Sequence, residues 1–402
     1  MYRSYVCLLC LCLGLANCLD LLNILTILND DEPDANRNIT EIIRSKGYPV
    51  EEYSVQTKDG YVLSVQRIPY GLSGKQNTTN RPVAYLQHGL LESATDWVLN
   101  FPNQSLGYIL ADNGYDVWLG NQRGNTYSKK HVEYSTKEER FWNFTIDEFA
   151  KYDVPDTIEF ILNKTNQSQV YYIGQSQGNT VVYALLSDRP DYDKIKAVLS
   201  LGPVATVGHI TSPLRLLAPL TSPIDLLYKK LGYREFLPNS FVMKLFAQVG
   251  CGFENFNLLC SNVYFLMNGY NPSQLNRSRI DVYMSHYPAG SSTKNIVHFG
   301  QMMNSKKLQK FDYGPEKNII AYNQPTPPEY EIKNIRTPVA LFWSSNDNLA
   351  DPEDVGILRE KIQNLAADYK VDSEKWGHLD FIMATEAKKY VYDELIRVMK
   401  TI

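Results

Sequence analysis

The segment that decides the fold is Val170-Tyr-Tyr-Ile-Gly-Gln-Ser-Gln-Gly178. Its first four residues predict a short buried strand, and the apolar spacing of Val181–Leu186 predicts that a helix follows. A strand, a tight turn and a helix are the setting of a nucleophile elbow, in which a serine stands on a strained turn. The two glycines leave room for that turn. We therefore predict that Ser176 is a nucleophile, with an ordinary turn as the alternative.

Strands alternate with helices on both sides of this segment. Glu52–Thr57 and Tyr61–Pro69 predict a hairpin around Lys58-Asp59-Gly60. Alternating strands and helices imply βαβ units and a mostly parallel sheet with helices on both faces, so the predicted fold class is α/β. Further predicted strands are Val83–Gln87, Tyr115–Leu119, Val170–Ile173, Lys196–Leu201 and Thr337–Trp343, and the predicted helices are Asp147–Asn163 (where Pro155 allows a kink), Val181–Leu186 and Leu379–Met399.

The alternation breaks between residues 207 and 324, which are rich in proline and in large apolar side chains. Ser222–Leu231 and Phe241–Val249 have the apolar spacing of helices. We predict that 207–324 is a mainly helical cap inserted into a core made of 19–206 and 325–402. A cap this apolar favours a site for acyl chains over one for peptides or sugars. For any single residue, packing against the core is the alternative.

A serine hydroxyl is a poor nucleophile at its own pKa and needs a base and an orienting acid. In folds with this elbow the acid and then the histidine follow the serine along the chain. His286 and His298 lie within the predicted insertion, whereas His378 lies after the last predicted strand and just before the last predicted helix. We therefore predict that His378 is the base.

The acid is expected just beyond the end of a strand, between Ser176 and His378. Asp347 follows the predicted strand Thr337–Trp343 and is the predicted acid, with Asp351 and Asp354 as nearby alternatives. Its carboxylate would hold the imidazole tautomer and balance the imidazolium that forms during attack.

Two backbone N–H groups are candidates for an oxyanion hole. The first is that of Gln177, at the start of the helix after Ser176, where unpaired amides point outwards. The second is that of Leu90, which follows strand Val83–Gln87 in the sequence Gln87-His88-Gly89-Leu90. We expect His88 to fix this loop rather than to act as the base.

Composition excludes several other classes of protein. The 402 residues are 44% hydrophobic and 21% charged, with a net charge of -4, so they have enough apolar material for a large core. No basic excess is available to neutralise phosphates, and a nucleic-acid partner is not expected. The chain contains no GxGxxG, GxxxxGK[ST] or HExxH motif, and we expect neither a metal nor an organic cofactor.

The first eighteen residues have the features of a secretory signal peptide. Arg3 precedes the apolar run Val6–Leu15, which is too short to span a bilayer, and no later run is long enough to be a transmembrane anchor. Cys251 and Cys260 are the two cysteines that remain; in an exported chain they predict one disulfide, with two free thiols as the alternative. Candidate glycosylation sites are Asn38, Asn77, Asn103, Asn143, Asn163, Asn166 and Asn276.

The sequence resembles the acid lipase family of α/β-hydrolases, the gastric and lysosomal type that includes insect lipases. The resemblance extends from about Glu41 to the C-terminus. It is carried by Leu86-Gln-His-Gly-Leu-Leu-Glu-Ser-Ala94, Asn113-Gly-Tyr-Asp-Val-Trp-Leu-Gly-Asn121, Arg123-Gly-Asn-Thr126, Phe141-Trp142, Asp147-Glu148, His286-Tyr-Pro-Ala-Gly290, Asp347 to Asp354 and His378-Leu-Asp-Phe381.

The resemblance implies a triad of Ser176, Asp347 and His378, oxyanion donors at Leu90 and Gln177, a disulfide Cys251–Cys260 in the cap, and a cap that acts in part as a lid. Gln175 departs from the family, which usually has histidine there, and Lys375-Trp-Gly377 departs before His378.

The expected function is hydrolysis of carboxylic esters of neutral lipids, triacylglycerol or cholesteryl ester, by a secreted or lysosomal enzyme that contacts the lipid interface transiently. Two other functions remain open. One is a lipid carrier or storage protein without catalysis, for which a broken triad would be typical. The other is a different α/β-hydrolase reaction, such as that of a thioesterase or peptidase.

Overall fold

The computed structural model describes residues 32–74, 80–221, 230, 232–239 and 271–402. The predicted leader 1–18, the predicted helix Phe241–Val249, Cys251, Cys260 and Asn77 lie outside these residues, as does Ser222–Leu231 apart from Lys230.

A central sheet organises the described chain. Its strands are β1 Glu51–Gln56, β2 Tyr61–Ile68, β3 Val83–Gln87, β4 Asp116–Gly120, β5 Lys130–His131, β6 Val170–Ser176, β7 Ile195–Pro203, β10 Val339–Trp343 and β11 Leu365–Lys370. The strand order is β1-β2-β4-β3-β6-β7-β10-β11, with β5 paired to β2. The strands from β4 to β11 along this order run parallel, whereas β1, β2 and β5 are antiparallel to their partners. Strands β8 Glu235–Phe236 and β9 Ser291–Ser292 form a separate pair.

The inner strands are buried on both faces, which explains their continuous apolar runs. In β3, Val83 and Tyr85 belong to one hydrophobic cluster, whereas Ala84 and Leu86 belong to the other. Successive side chains of a strand point to opposite faces, so a strand covered on both sides must be apolar throughout. The predicted α/β class is confirmed, and so is the mostly parallel sheet between two layers of helices.

Helices cover both faces of the sheet. The helix predicted at Val181–Leu186 extends over Gln177–Asp188, and the helix predicted at Asp147–Asn163 is a run interrupted by a π-helical turn, Phe149–Asp153, just before Pro155. A proline cannot donate the backbone bond of a regular helix, and a wider turn accommodates it. The α-helices are Ile39–Ser45, Leu106–Asp112, Ile146–Glu148, Val154–Thr165, Gln177–Asp188, Ile280–His286, Thr293–Ser305, Pro315–Tyr322, Pro352–Lys361, Asp380–Met383 and Asp393–Thr401.

The prediction of a single closing helix over Leu379–Met399 is wrong. The chain forms Asp380–Met383, leaves the helix at Ala384, whose ψ is 140°, and resumes with a π-helical turn Lys388–Tyr392 before Asp393–Thr401. The break occurs because Ala384 forms a β-bridge with Leu275, a tertiary contact that competes with the helix. The described parts of 207–324 contain helices and the pair β8–β9; the division into core and cap stays a prediction.

Candidate active site

Ser176 lies at the end of β6, where the strand turns sharply into the helix Gln177–Asp188. Its φ is 52° and its ψ is -119°, a conformation that L-residues rarely adopt. A Cβ on Gly174 would lie 2.4 Å from Asn179 Oδ1, and a Cβ on Gly178 would lie 2.4 Å from the carbonyl oxygen of Gln87. The two glycines are therefore needed for space, because the turn packs against backbone and side chains that cannot move far.

His378 and Asp347 meet at the carboxyl end of the sheet. His378 Nδ1 lies 2.9 Å from Asp347 Oδ1 and 2.8 Å from Oδ2, and both residues are buried. Asp347 Oδ1 also accepts from the backbone N–H of Leu349 at 2.9 Å and of Ala350 at 2.8 Å. The carboxylate is thus held by two backbone donors, and its second oxygen remains available to orient the imidazole.

The two alternative acids, Asp351 and Asp354, form their hydrogen bonds with groups other than His378. Asp351 accepts from the backbone N–H of Glu353 at the start of the helix Pro352–Lys361. Asp354 accepts from Thr206 Oγ1 at 2.6 Å and from the backbone N–H of His209 at 2.9 Å. Among the three carboxylates, Asp347 is the one whose geometry allows it to orient His378.

The loop that carries His378 is tied to the loop that carries Asp347. Ser344 Oγ donates to the Trp376 carbonyl oxygen at 2.6 Å, and Asn346 Nδ2 donates to that of Lys375 at 2.8 Å. Trp376 is buried beside Phe381. The segment Lys375-Trp-Gly377, which departs from the acid lipase pattern, therefore anchors the histidine loop in this chain.

Ser176 approaches this pair across strand β7. Ser176 is in register with Pro203, and a Cβ on the neighbouring Gly202 would lie 3.1 Å from both Cε1 and Nδ1 of His378 and 3.3 Å from Asp347 Oδ2. The imidazole and carboxylate thus lie over the end of β7, next to the elbow. The hydrogen bonds within the described residues join His378 to Asp347 but not to Ser176, so the serine–histidine contact stays a prediction.

The loop after β3 passes directly against the elbow. A Cβ on Gly89 would lie 2.9 Å from Ser176 Cβ, so only a glycine allows this approach. The Gln177 side chain is fixed between Gln122 Oε1 at 2.6 Å and Asn295 Nδ2 at 2.7 Å. The loop that carries Leu90 thus lies against Ser176, and the oxyanion hole expected at the backbone N–H groups of Leu90 and Gln177 stays a prediction.

His88 holds the loop, in agreement with the expectation. Its Nε2 accepts from the backbone N–H of Gln122 at 3.2 Å, which places the proton on Nδ1, 2.8 Å from the carbonyl oxygen of Gly89. Burial lowers the pKa of His88 to about 4, so the imidazole is neutral over most of the pH range.

Three groups near the site were given no role by the sequence: Gly202, Glu92 and Asp380, although Glu92 and Asp380 lie within motifs of the acid lipase resemblance. Asp380 Oδ2 accepts from the backbone N–H of Gly377 and from Asn271 Nδ2, each at 2.7 Å. Burial raises the pKa of Asp380 to about 7. Its place in the motif His378-Leu-Asp-Phe381, two residues after His378, is the sequence signal that could have singled it out.

Other predicted features have the following places in the structure. In the described part of the chain, no group of three or more histidine, cysteine, aspartate or glutamate residues is arranged to hold a metal ion. No described helix combines the length and apolarity needed to cross a membrane. Of the candidate glycosylation sites, Asn38, Asn103, Asn143, Asn163 and Asn166 are exposed and Asn276 is half-buried.

Comparison with known proteins gives matches over most of the chain. Residues 39–101 match the family model described as a partial alpha/beta-hydrolase lipase region, and residues 82–385 match that of the alpha/beta hydrolase fold. Gastric triacylglycerol lipase of Mus musculus is 46% identical over 92% of this chain and 94% of its own length. Lysosomal acid lipase/cholesteryl ester hydrolase of Homo sapiens is 45% identical over 92% of each chain.

Solved structures with low sequence identity share the fold. A protein of Sulfolobus solfataricus superposes with a TM-score of 0.58 at 13% identity, covering 88% of this chain and 94% of its own. An epoxide hydrolase from Vigna radiata has a TM-score of 0.51 at 16% identity, covering 88% of this chain and 99% of its own. At such identities the likeness concerns the architecture alone.

Proposed function

The chain belongs to the acid lipase family of α/β-hydrolases, and from this premise we propose that it hydrolyses carboxylic esters of neutral lipids through an acyl-enzyme on Ser176. The observation that carries the mechanism is the buried pair of His378 and Asp347 beside a serine held at a φ of 52°. Strain at a serine between a strand and a helix, next to an oriented imidazole, is the arrangement of a nucleophile with its base.

In the proposed reaction His378 acts first as a base. Asp347 holds the proton on Nδ1, which leaves the Nε2 lone pair free to accept the proton of Ser176 Oγ as that oxygen bonds to the ester carbonyl carbon. The carbonyl oxygen becomes an oxyanion facing the backbone N–H groups of Leu90 and Gln177. These donors are fixed before the reaction, so they stabilise the developing charge without reorganisation.

The tetrahedral species then breaks the bond between carbon and the alcohol oxygen. His378 Nε2 returns its proton to the departing alcohol, and the acyl group remains on Ser176. Water repeats the sequence: it gives a proton to His378, attacks the acyl carbon and releases the fatty acid with the serine hydroxyl restored. No step requires a metal ion or an organic cofactor.

The names of the relatives support the substrate class. The mouse relative is named for triacylglycerol and the human one for cholesteryl ester, and both are esters of long-chain acids. The predicted localisation, secreted or lysosomal, agrees with the gastric and lysosomal relatives. A pH–rate series on emulsified triolein and cholesteryl oleate determines which ester this enzyme prefers.

Substitution of the nucleophile tests the proposal. Ser176→Ala should lower kcat by 10⁴-fold or more, because the nucleophile and its base act as a unit. Ser187→Ala is a matched control in the same helix, since its buried hydroxyl has no partner within the described residues. An organophosphonate should label the wild type and S187A but not S176A. A wild-type chain that binds lipid without being labelled would instead be a carrier.

We further propose that adsorption to a lipid interface precedes hydrolysis and that part of 207–324 moves as a lid. Leu216, in the turn Pro213–Leu220, is 71% exposed, and an apolar side chain in this position could contact a lipid interface. Activity on emulsified tributyrin should exceed activity on the same ester below its solubility limit. Equal specific activity in the two states contradicts the proposal.

A further inference from the structure

Glu92 is a buried acid that the proposed reaction does not use. It lies in the loop after β3, three residues beyond Gly89, and is 3% exposed. Its Oε2 accepts from the backbone N–H of Gly89 at 2.6 Å. The next peptide group along the chain is the one whose N–H belongs to Leu90, so the bond to Glu92 fixes the orientation of an expected oxyanion donor.

The same carboxyl contacts the residue before the nucleophile. The fully buried Gln175, with its amide nitrogen towards Glu92, donates to Oε2 at 2.8 Å and to Oε1 at 3.2 Å. An amide can present either its nitrogen or its oxygen, and the hydrogen-bond network decides which. Glu92 therefore connects the loop after β3 to the elbow through one side chain on each.

The packing at this point leaves little freedom. A Cβ on Gly89 would lie 2.4 Å from the Gln175 amide atom that faces Glu92, 2.8 Å from Glu92 Oε2 and 2.9 Å from Ser176 Cβ. The peptide of Gly89 is thus enclosed by the carboxyl, the amide and the nucleophile. A shift of Glu92 would move the donor loop relative to Ser176.

Given the proposed function, we propose that Glu92 is a positioning residue that holds the Gly89 peptide and Gln175 in one hydrogen-bonded unit. This unit makes the N–H groups of Leu90 and Gln177 face the same oxyanion. Glu92 acts through the loop and not on the substrate.

The ionisation of Glu92 should make the activity of the enzyme depend on pH. Within the described residues neither Glu92 nor the neighbouring buried Asp96 forms an ion pair; Tyr287 faces both carboxyls and Tyr127 faces Asp96. Burial and the charge of Asp96 raise the pKa of Glu92 well above its ordinary value, although the Gly89 N–H opposes this. A neutral Glu92 can donate to Gln175 Oε1, whereas an ionised one accepts from the amide nitrogen. Ionisation would place a negative charge beside the forming oxyanion and slow the reaction.

Two substitutions and one control test the inference in the full chain, with p-nitrophenyl butyrate as substrate from pH 4 to 9. Glu92→Ala removes the acceptor of Gly89 N–H and should lower kcat by about 10²-fold with KM changed less than threefold, as expected for a misplaced oxyanion donor. Glu92→Gln keeps the acceptor and the contact with Gln175 but cannot ionise. It should retain kcat within threefold at pH 5 and lose part of the alkaline decline. Asp96→Asn leaves both contacts of Glu92 in place and should match the wild type at pH 5.

The outcomes separate this inference from the proposed function. A wild type without esterase activity and without phosphonate labelling refutes the proposed function itself. With an active wild type, an E92A kcat within threefold of normal refutes the role of Glu92, and so does an E92Q profile that declines at alkaline pH as the wild type does. If E92A does not fold, E92Q decides alone through its pH profile. If E92Q and D96N lose kcat equally at pH 5, Glu92 and Asp96 serve only to stabilise the local structure, and this result would also refute the inference.

Discussion

Substitution of Asp347 by asparagine tests the orientation of the base most directly. Asp347 Oδ1 accepts from the backbone N–H groups of Leu349 and Ala350, so an asparagine keeps both bonds by placing its oxygen there. Its amide nitrogen then occupies the position of Oδ2, 2.8 Å from His378 Nδ1. An NH₂ group donates, so Nδ1 must accept and the imidazole proton moves to Nε2. The base then has no lone pair for Ser176.

The expected loss is large because the tautomer is wrong in nearly every molecule. A change of this kind lowers kcat by about 10⁴-fold, equivalent to about 5 kcal/mol of activation free energy at 1.36 kcal/mol per tenfold. The shape and hydrogen bonds of the loop are preserved, so the free energy of unfolding should change by no more than about 1 kcal/mol. Asp354→Asn is the matched control: its carboxyl contacts Thr206 and His209 instead of His378, and kcat should stay within threefold of normal.

The assay is kcat and KM on p-nitrophenyl butyrate at the pH optimum, with thermal melting of each variant. A D347N variant that keeps kcat within tenfold of normal, while D354N loses a hundredfold, would refute the assignment of Asp347. Loss in D347N accompanied by unfolding would be a stability effect, which the melting curve identifies.

Three further predictions concern neighbouring groups. Gly202→Ala should lower kcat by at least tenfold, since its φ is 50° and its Cβ would lie 3.1 Å from His378; steady-state kinetics checks this, and an unchanged kcat counts against the close approach. Arg123→Met should lower the free energy of unfolding, measured by urea denaturation, by about 3–5 kcal/mol, because it leaves the carboxylates of Asp59 and Asp153 without their ion-pair partner. Burial raises the pKa of Asp380 to about 7 from an ordinary value near 4, so its contribution to stability is full below about pH 4 and is lost as the pH rises through 7. Asp380→Asn should therefore flatten the fall in melting temperature between pH 4 and 8, and a slope equal to that of the wild type contradicts this.

Buried strands and the elbow were predictable because their sequence signals are local. Val83–Gln87 has the predicted bounds, since all five residues are buried and the run is flanked by polar or turn-forming residues. Edge strand β11, Leu365–Lys370, was not predicted: its side chains alternate between half-buried and exposed, and its charged residues resemble those of a loop. Periodicity identifies a strand well only where the sheet is covered.

The groups around the proposed triad depend on how the strands pair in three dimensions, which no local sequence pattern contains. Gly202 approaches His378 only because β6 pairs with β7 in a register that sets Ser176 opposite Pro203, and because β10 lies on the other side of β7. Glu92 is three residues from Gly89 in sequence, but its contact with Gln175 joins a loop to the end of strand β6, more than eighty residues away along the chain. The sequence can therefore nominate a nucleophile, a base and an acid by their order along the chain. The residues proposed to hold the oxyanion donors can be identified only from the paired strands. Their contacts depend on which strands are neighbours in the sheet, and not on the distance between residues along the chain.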